Sequence, residues 1–292
     1  MRTVLNPNGP ATVYAELVDH GALLLRRDDP YTTADFVALG DALMLARHHG
    51  GAIAEGRELA GGDPTTTTVT AGSAGIALHR EASYAPAAPA LLMFHCVRAA
   101  ADGGETTVCD GVRLLDALPA PLRRFAEDAR IVWENDVADG RWQRMCGADE
   151  PDAALAATEA WHRMLMPWES LSVGFTGRSM TVCLGTRCVT PALFDGTPTF
   201  CNSVLLMATH PGGDSYVEEH LRLRMADGTP FPADVLDAIA GVAEAHTEAV
   251  PWRAGDIVVV NNTRMMHGRR PFTDPRRRIL VRTGYLRPAP VH

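Results

Sequence analysis

From Thr65 to the end of the chain the sequence is built of short β-branched and apolar runs separated by Gly, Pro and Asp, a pattern that only a strand-rich fold accommodates. The runs predict strands at Thr65–Thr70, Leu91–Arg98, Thr106–Cys109, Ile131–Glu134, Met180–Val189, Ile257–Val260 and Arg278–Tyr285. Helical patterns lie before this region and at two places within it. An amphipathic run around Val13 to Val18 and a helix from Thr33 to Ala46 flank a strand at Ala22–Leu25, and Thr32 or Thr33 with Asp35 supplies capping chemistry. Two later helices are predicted at Leu114–Asp128, broken at Pro119 and Pro121, and at Pro232–Glu248, where Val235, Ile239 and Val242 recur at helical spacing. The expected architecture is mainly β with flanking helices, a sandwich or barrel. No repeat or linker divides the sequence, so residues 1–292 are read as a single domain; residues 136–176 carry the weakest pattern.

Composition narrows the function classes. A net charge of -8, with no Lys/Arg cluster interleaved with aromatics, disfavours nucleic acid as a partner. The N-terminal residues lack the apolar core of a signal peptide, and no stretch approaches the roughly 18 unbroken apolar residues of a membrane span. The expectation is a soluble cytoplasmic protein, of an oligomeric state that the sequence does not specify. The six cysteines are scattered without a CxxC pair, and Cys96, Cys109 and Cys183 lie in apolar or β-branched runs. They read as reduced thiols packed as small hydrophobes; zinc ligation by Cys183 and Cys188 lacks a second pair.

The chemistry-bearing fragments are His79-Arg80-Glu81 and, far downstream, His267. Two imidazoles and one carboxylate are the set that holds a non-haem Fe(II) on one face and leaves the other positions open. In an extended segment residues i and i+2 share a face, so His79 and Glu81 can address one ion while Arg80 points away. A His-x-acid triplet arises readily by chance, and His246-Thr247-Glu248 is a second one. It falls at the end of the predicted Pro232–Glu248 helix, where i and i+2 diverge, and is set aside. Downstream of the first triplet, Leu91-Leu92-Met93-Phe94 reads as a core strand, and Asp102-Gly103-Gly104-Glu105 as a tight turn into the next.

These motifs resemble the taurine dioxygenase-like branch of the Fe(II)/2-oxoglutarate-dependent oxygenases. The likeness is greatest to members that hydroxylate amino acids and related precursors, such as clavaminate synthase and the arginine or aspartate hydroxylases of antibiotic pathways. His79-x-Glu81 looks like the family's first two iron ligands, with Glu as in the clavaminate synthase group. Gly103-Gly104-Glu105-Thr106 matches a turn whose threonine helps hold 2-oxoglutarate, and Trp252-Arg253-Ala254-Gly255-Asp256 leads into the strand of the last ligand, His267. Arg278-Ile279-Leu280-Val281-Arg282 matches the arginine strand that follows. The motifs cover Leu78–Gly111 and Pro251–Leu286; the sequence between is only generically similar. The resemblance implies a double-stranded β-helix, or jelly roll, with Fe(II) bound by His79, Glu81 and His267, and with 2-oxoglutarate and O2 as co-substrates.

Beside that resemblance, Arg278 is the expected clamp for the distal carboxylate of 2-oxoglutarate, since a guanidinium fork matches a carboxylate bidentately. Alternation puts Arg278, Leu280 and Arg282 on one face of their strand. Two inward arginines need two anions, so Arg282 is expected to meet an acid group of the substrate, as an arginine at the matching position does in family members acting on free taurine or free arginine. Ser83 and Tyr84 are further pocket candidates. Asn262 and Arg264, just before the last ligand, could orient the metal shell but read more readily as a strand-end amide and a solvated cation; Arg269 reads as a brace for neighbouring backbone, Phe200 and Asn202 as strand packing rather than residues that reach the site, and His95 as a sheet histidine. The expected reaction is hydroxylation of a small amino-acid-like substrate with release of succinate and CO2. Glu81 disfavours halogenation, which in related enzymes uses the position that a missing carboxylate vacates. Desaturation, ring closure or a carrier-tethered substrate are the alternatives within the chemistry. A non-catalytic jelly roll predicts a decayed ligand set, and a zinc hydrolase leaves the 2-oxoglutarate clamp unexplained.

Overall fold

The computed structural model describes residues 1–7, 9–46, 57–60, 62–208 and 221–286, and strand exceeds helix in it by 36% to 28%. Two sheets face each other, antiparallel except where Arg2–Leu5 runs parallel to Ala22–Arg26 at one edge. The larger, eight-stranded among the described residues, has at its centre Ala22–Arg26, Ile257–Asn261, Leu91–Arg98 and Arg278–Leu286 in that spatial order. The smaller sets Thr247–Ala249, Thr106–Asp110, Met265–Arg269 and Ile76–His79 side by side. This is the jelly-roll core that the resemblance implies.

Alternation along each strand of the larger sheet sorts its side chains into two cores. Leu23, Leu25, Leu91, Met93, Ile257, Val259 and Leu280 pack outward against Val13 and Leu17 of helix Pro10–His20 and Phe36 and Leu43 of helix Thr33–Leu43. Their neighbours Leu24, Leu92, Phe94, Val258, Val260, Ile279 and Val281 face the other way, into the space between the sheets, where Val108 and Met265 of the smaller sheet meet them. Both faces are covered, which is why these strands read as unbroken apolar runs instead of alternating ones. Each buried Leu, Ile or Val is worth about 1.5–3 kcal/mol, so a one-residue slip that exchanged the two faces is strongly disfavoured.

The outer face of the smaller sheet carries Leu78, Cys109 and Met266 into a third core with helices Gly111–Ala117, Ala120–Asp128 and Ala233–Ala245. A separate four-stranded sheet, in the order Ser170–Thr176, Ser179–Arg187, Arg130–Val137 and Leu221–Met225, adds Trp133 and Leu184 to that core. All six cysteines are unpaired, as expected. No helix among the described residues is long and apolar enough to cross a membrane.

The helix signals translate into geometry. Thr32 caps its helix by accepting from Asp35 N, while Asp35 accepts from Thr32 N, a reciprocal capping box. That helix stops at Leu43, and Met44–Ala46, expected as its last turn, pairs as a strand with Arg278–Leu286. Pro119 does separate two helices. The weakly patterned stretch 136–176 contains helices Arg141–Cys146 and Pro151–His162, the latter with Pro at its first position and Asp152 in its first turn. The helix expected over Pro232–Glu248 ends at Ala245; His246 caps it through Nδ1 on Val242 O, and Glu248 lies in an edge strand 3.0 Å from the N-terminal amine. The discarded triplet therefore binds nothing in common, although strand geometry enters where a helix end was expected.

Candidate active site

The first and last ligand candidates lie opposite each other in register, His267 against His79 in adjacent antiparallel strands, with their rings 4.2 Å apart. A bulge interrupts the pairing between His267 and Arg269. Gly268 sits in it, where a Cβ would stand 2.5 Å from Ile76 O and 2.8 Å from Thr107 Oγ1. Bulges of this kind re-aim a neighbouring side chain, here that of His267 toward the interior.

Glu81 follows just beyond the end of strand Ile76–His79. Its backbone is held on both sides by one buried amide: Asn262 Oδ1 accepts from Glu81 N at 2.9 Å, and Asn262 Nδ2 donates to Glu81 O at 3.1 Å and to Pro89 O at 2.7 Å. Asn262, read from the sequence as a strand-end amide, is thus the brace that sets the carboxylate ligand. Glu81 Oε2 lies 3.6 Å from Nε2 of His79 and 3.6 Å from Nε2 of His267. Cis ligands on a first-row divalent ion with bonds of about 2.1 Å sit roughly 3 Å apart, so small side-chain rotations suffice for all three to meet one ion. These are the only three metal-ligand side chains grouped in this way among the described residues.

The charges suit a divalent cation. His79 Nδ1 lies 2.9 Å from Ala77 O, which fixes the tautomer that donates there and leaves Nε2 as a lone-pair donor. Burial, reinforced by His79, drives His267 well below the usual imidazole range and keeps it neutral. Burial alone would raise the Glu81 carboxyl, but Arg57 and the two imidazoles hold it well below the usual carboxylate range. A metal ion is bound by a neutral imidazole and an ionised carboxylate, the forms in which burial and charge hold His267 and Glu81.

Beside this trio a cavity of about 110 Å³ is lined by Thr106, Phe94, Tyr84, Arg269 and Arg277, among others. Trp252 Nε1 donates to Thr106 Oγ1 at 3.2 Å, which leaves the hydroxyl's own proton for another acceptor. Arg277 donates through Nε to Gly104 O at 2.7 Å; its two terminal nitrogens have no hydrogen-bond partner among the described residues. Burial, with Arg269 nearby, pulls its guanidinium down to about 10, so it is a cation at neutral pH. Gly104 and Gly103 make the expected turn with φ of 69° and 59°, where a Cβ on Gly103 would strike Pro271 O.

Two expected residues lie elsewhere. Arg278 is exposed at the start of its strand, and Arg282 is buried, at 1% exposure, on the opposite side of the larger sheet. Leu280 and Arg282 do share a face, but it is the face toward the helices, because Ile279 and Val281 occupy the interior; a register shift in the pairing separates Arg278 from Ile279. Arg282 bonds there to Val37 O, to Asp41 Oδ1 at 2.7 Å and to Thr65 Oγ1 at 2.6 Å. It is a structural cation, and the guanidiniums that line the cavity are those of Arg57, Arg269 and Arg277. Ser83 is also out of the cavity, bonded to Ser203 Oγ at 2.6 Å, whereas Tyr84 lines it.

The secondary readings fall out as follows. Arg269 braces Thr70 O and Ala74 O, as expected, and lines the cavity as well. Arg264, expected in solvent, pairs with Asp110 at 2.8 Å. His95 stacks on Phe36 with its Nδ1 3.3 Å from Asp256 O, Phe200 packs in the third core, and Asn202 bridges Cys188 O and Val204 N. Arg57 was not singled out from the sequence, where nothing in its surroundings marks it, yet its Nη2 lies 3.0 Å from Glu81 Oε1.

The chain belongs to the taurine catabolism dioxygenase TauD, TfdA family, whose sequence pattern matches residues 3–283. Enzymes of this family use Fe(II), 2-oxoglutarate and O2. A clavaminate synthase-like protein of Arabidopsis thaliana is 26% identical over 220 residues, covering 70% of this chain and 64% of the relative. The 3-((Z)-2-isocyanoethenyl)-1H-indole synthase of Fischerella ambigua is 23% identical over 213 residues, covering 72% of this chain and 63% of the relative. The matched region thus spans a little under two thirds of each curated relative. Among solved structures, a putative 2-oxoglutarate-dependent taurine dioxygenase from Burkholderia xenovorans superposes with a TM-score of 0.57 at 16% identity, over 97% of this chain and 81% of the other, and so shares the fold.

Proposed function

We propose that this protein is an Fe(II)- and 2-oxoglutarate-dependent dioxygenase that oxidises a C–H bond of a small molecule, with hydroxylation the first outcome to test. The observation that carries the reading is the convergence of His79 Nε2, His267 Nε2 and Glu81 Oε2, each imidazole 3.6 Å from the carboxylate, at a cavity that also holds a cation. When bound, the iron with 2-oxoglutarate and O2 supplies an oxidant able to attack an unactivated C–H bond, and succinate and CO2 are released.

The chain's own residues prepare for that chemistry. Ala77 O and Asn262 fix the orientation of His79 and Glu81, so two of the three donors are preorganised. Arg277 and Thr106 offer a guanidinium and a hydroxyl proton to the distal carboxylate of the co-substrate. Phe94 and Val281 keep water from that side of the cavity. With them, Val69, Ile76, Tyr84, Leu206 and Leu221 give a largely apolar lining, which favours a substrate with an apolar body. The family likeness favours an amino-acid-like molecule; the acid group that Arg282 was expected to bind has lost its support, since Arg282 is matched by Asp41 and Thr65.

The test is addition of Fe(II) and then 2-oxoglutarate to the purified protein without oxygen. A visible charge-transfer band of a chelated 2-oxo acid is expected, absent in His267→Ala. A native protein that gives no band is not an enzyme of this kind. Succinate release on admission of air, screened across amino acids and their apolar derivatives, then identifies the substrate.

A further inference from the structure

Glu81 has two carboxylate oxygens, and the fold treats them differently. Oε2 is the atom equidistant from both imidazoles, at 3.6 Å from each Nε2. Oε1 accepts from Arg57 Nη2 at 3.0 Å. Arg57 is itself held, its side chain only 13% exposed and its Nε 3.4 Å from Thr70 Oγ1, and it lies in the wall of the same cavity. Since Asn262 clamps the Glu81 peptide from both sides, the residue is fixed at backbone and at carboxylate.

A free carboxylate can bind a divalent ion through one oxygen or chelate it through both. The difference matters at this site. Two imidazoles and one carboxylate oxygen leave half of an octahedral shell for a chelating 2-oxo acid and one further ligand; a second oxygen from Glu81 would compete with them. We propose that Arg57 is a positioning residue that engages Glu81 Oε1 and so restricts Glu81 to donating a single oxygen, Oε2, to the metal. The inference rests on the metal-site reading above and adds a role for a residue outside the ligand set.

The arrangement has an electrostatic cost that makes it testable. A guanidinium this close to a ligand carboxylate opposes a divalent cation, unlike the neutral or anionic partners that usually brace metal ligands and whose loss weakens binding about 10–100-fold. Removing Arg57 is therefore expected to leave metal affinity unchanged or stronger, while a carboxylate now able to chelate excludes other ligands. A residue that merely stabilised the site would have the opposite effect on metal affinity.

The full-length chain loaded with Mn(II) in place of iron provides the measurement. Free Mn(II) is followed by electron paramagnetic resonance, coordinated water by proton relaxation, and 2-oxoglutarate by titration. The native protein, Arg57→Gln and Arg57→Lys are compared, with Arg57→Met used if the Gln variant does not fold. Arg57→Gln is expected to bind Mn(II) at least as tightly as the native protein, to hold one coordinated water fewer, and to bind 2-oxoglutarate about ten-fold more weakly. Arg57→Lys, which keeps a donor cation, should retain the native water count. Native water count and native 2-oxoglutarate affinity in Arg57→Gln overturn the inference, as does a loss of Mn(II) affinity that tracks a loss of thermal stability. If the native protein binds no Mn(II), the metal-site reading fails first and takes this inference with it.

Discussion

Two arginines on opposite sides of the same sheet show what a buried guanidinium can mean. Arg282 lies among helices with both terminal nitrogens answered, by a backbone carbonyl, a carboxylate and a threonine hydroxyl, and only its Nε without a partner among the described residues. Arg277 lies at the interior cavity with one bond to Gly104 O, the Phe272 ring 5.2 Å from its guanidinium carbon, another arginine close by, and no hydrogen bond from its two terminal nitrogens among the described residues. A matched cation contributes to stability, whereas an unmatched one costs stability and is retained where it has a ligand to bind. Burial alone does not separate the two cases; the partners do.

The largest effect that would break this contrast belongs to Arg277. Arg277→Met should weaken 2-oxoglutarate binding roughly 100-fold, about 2.7 kcal/mol, when titrated into the metal-loaded protein. Its melting temperature should hold or rise, because burial disfavours the charged form that is removed. A melting temperature that falls while affinity stays native would make Arg277 the structural cation instead.

Arg282→Met should do the reverse. It removes the ion pair to Asp41 and leaves Thr65 and Val37 O short of a donor, for about 2 kcal/mol or roughly 5 °C in melting temperature. Binding of 2-oxoglutarate should stay within two-fold of native, on the order of the scatter for a site on the other face of a sheet. A selective loss of substrate turnover with native stability would return Arg282 to the substrate role expected from its sequence position.

The smallest effect sharpens the picture of the cavity. Thr106→Val keeps the shape but takes away the hydroxyl that accepts from Trp252 and has a proton to offer. A five- to ten-fold loss of 2-oxoglutarate affinity is expected, about 1–1.4 kcal/mol. No loss at all would mean that Arg277 holds the co-substrate without it.

Much of this was legible before any coordinates. The ligand residue types and the i, i+2 spacing of His79 and Glu81 pointed to a shared metal, and Leu91–Arg98 was found at its observed bounds because a strand covered on both faces is an unbroken apolar run. The last strand shows where reading stops. Alternation grouped Leu280 with Arg282, as observed, but parity does not say which face is interior; that was decided by Ile279 and Val281, which are better suited to the gap between two sheets. Arg57 carried no signal because its partner is set by tertiary approach, and the helices within residues 136–176 were missed although Glu150-Pro151-Asp152 is a recognisable helix start.

The strand order has a consequence for how the chain can be made. Leu91–Arg98 is bordered on one side by Ile257–Asn261 and on the other by Arg278–Leu286, and His79 pairs with His267. A ribosome emitting this polypeptide from its N-terminus therefore releases an apolar strand with two bare edges long before either neighbour exists. Contacts of such sequence separation fold slowly, and unpaired edges invite association with other chains. Nascent molecules halted before Ile257 should depend on chaperones to stay dispersed, and the metal pocket can only come into being once His267 has been made.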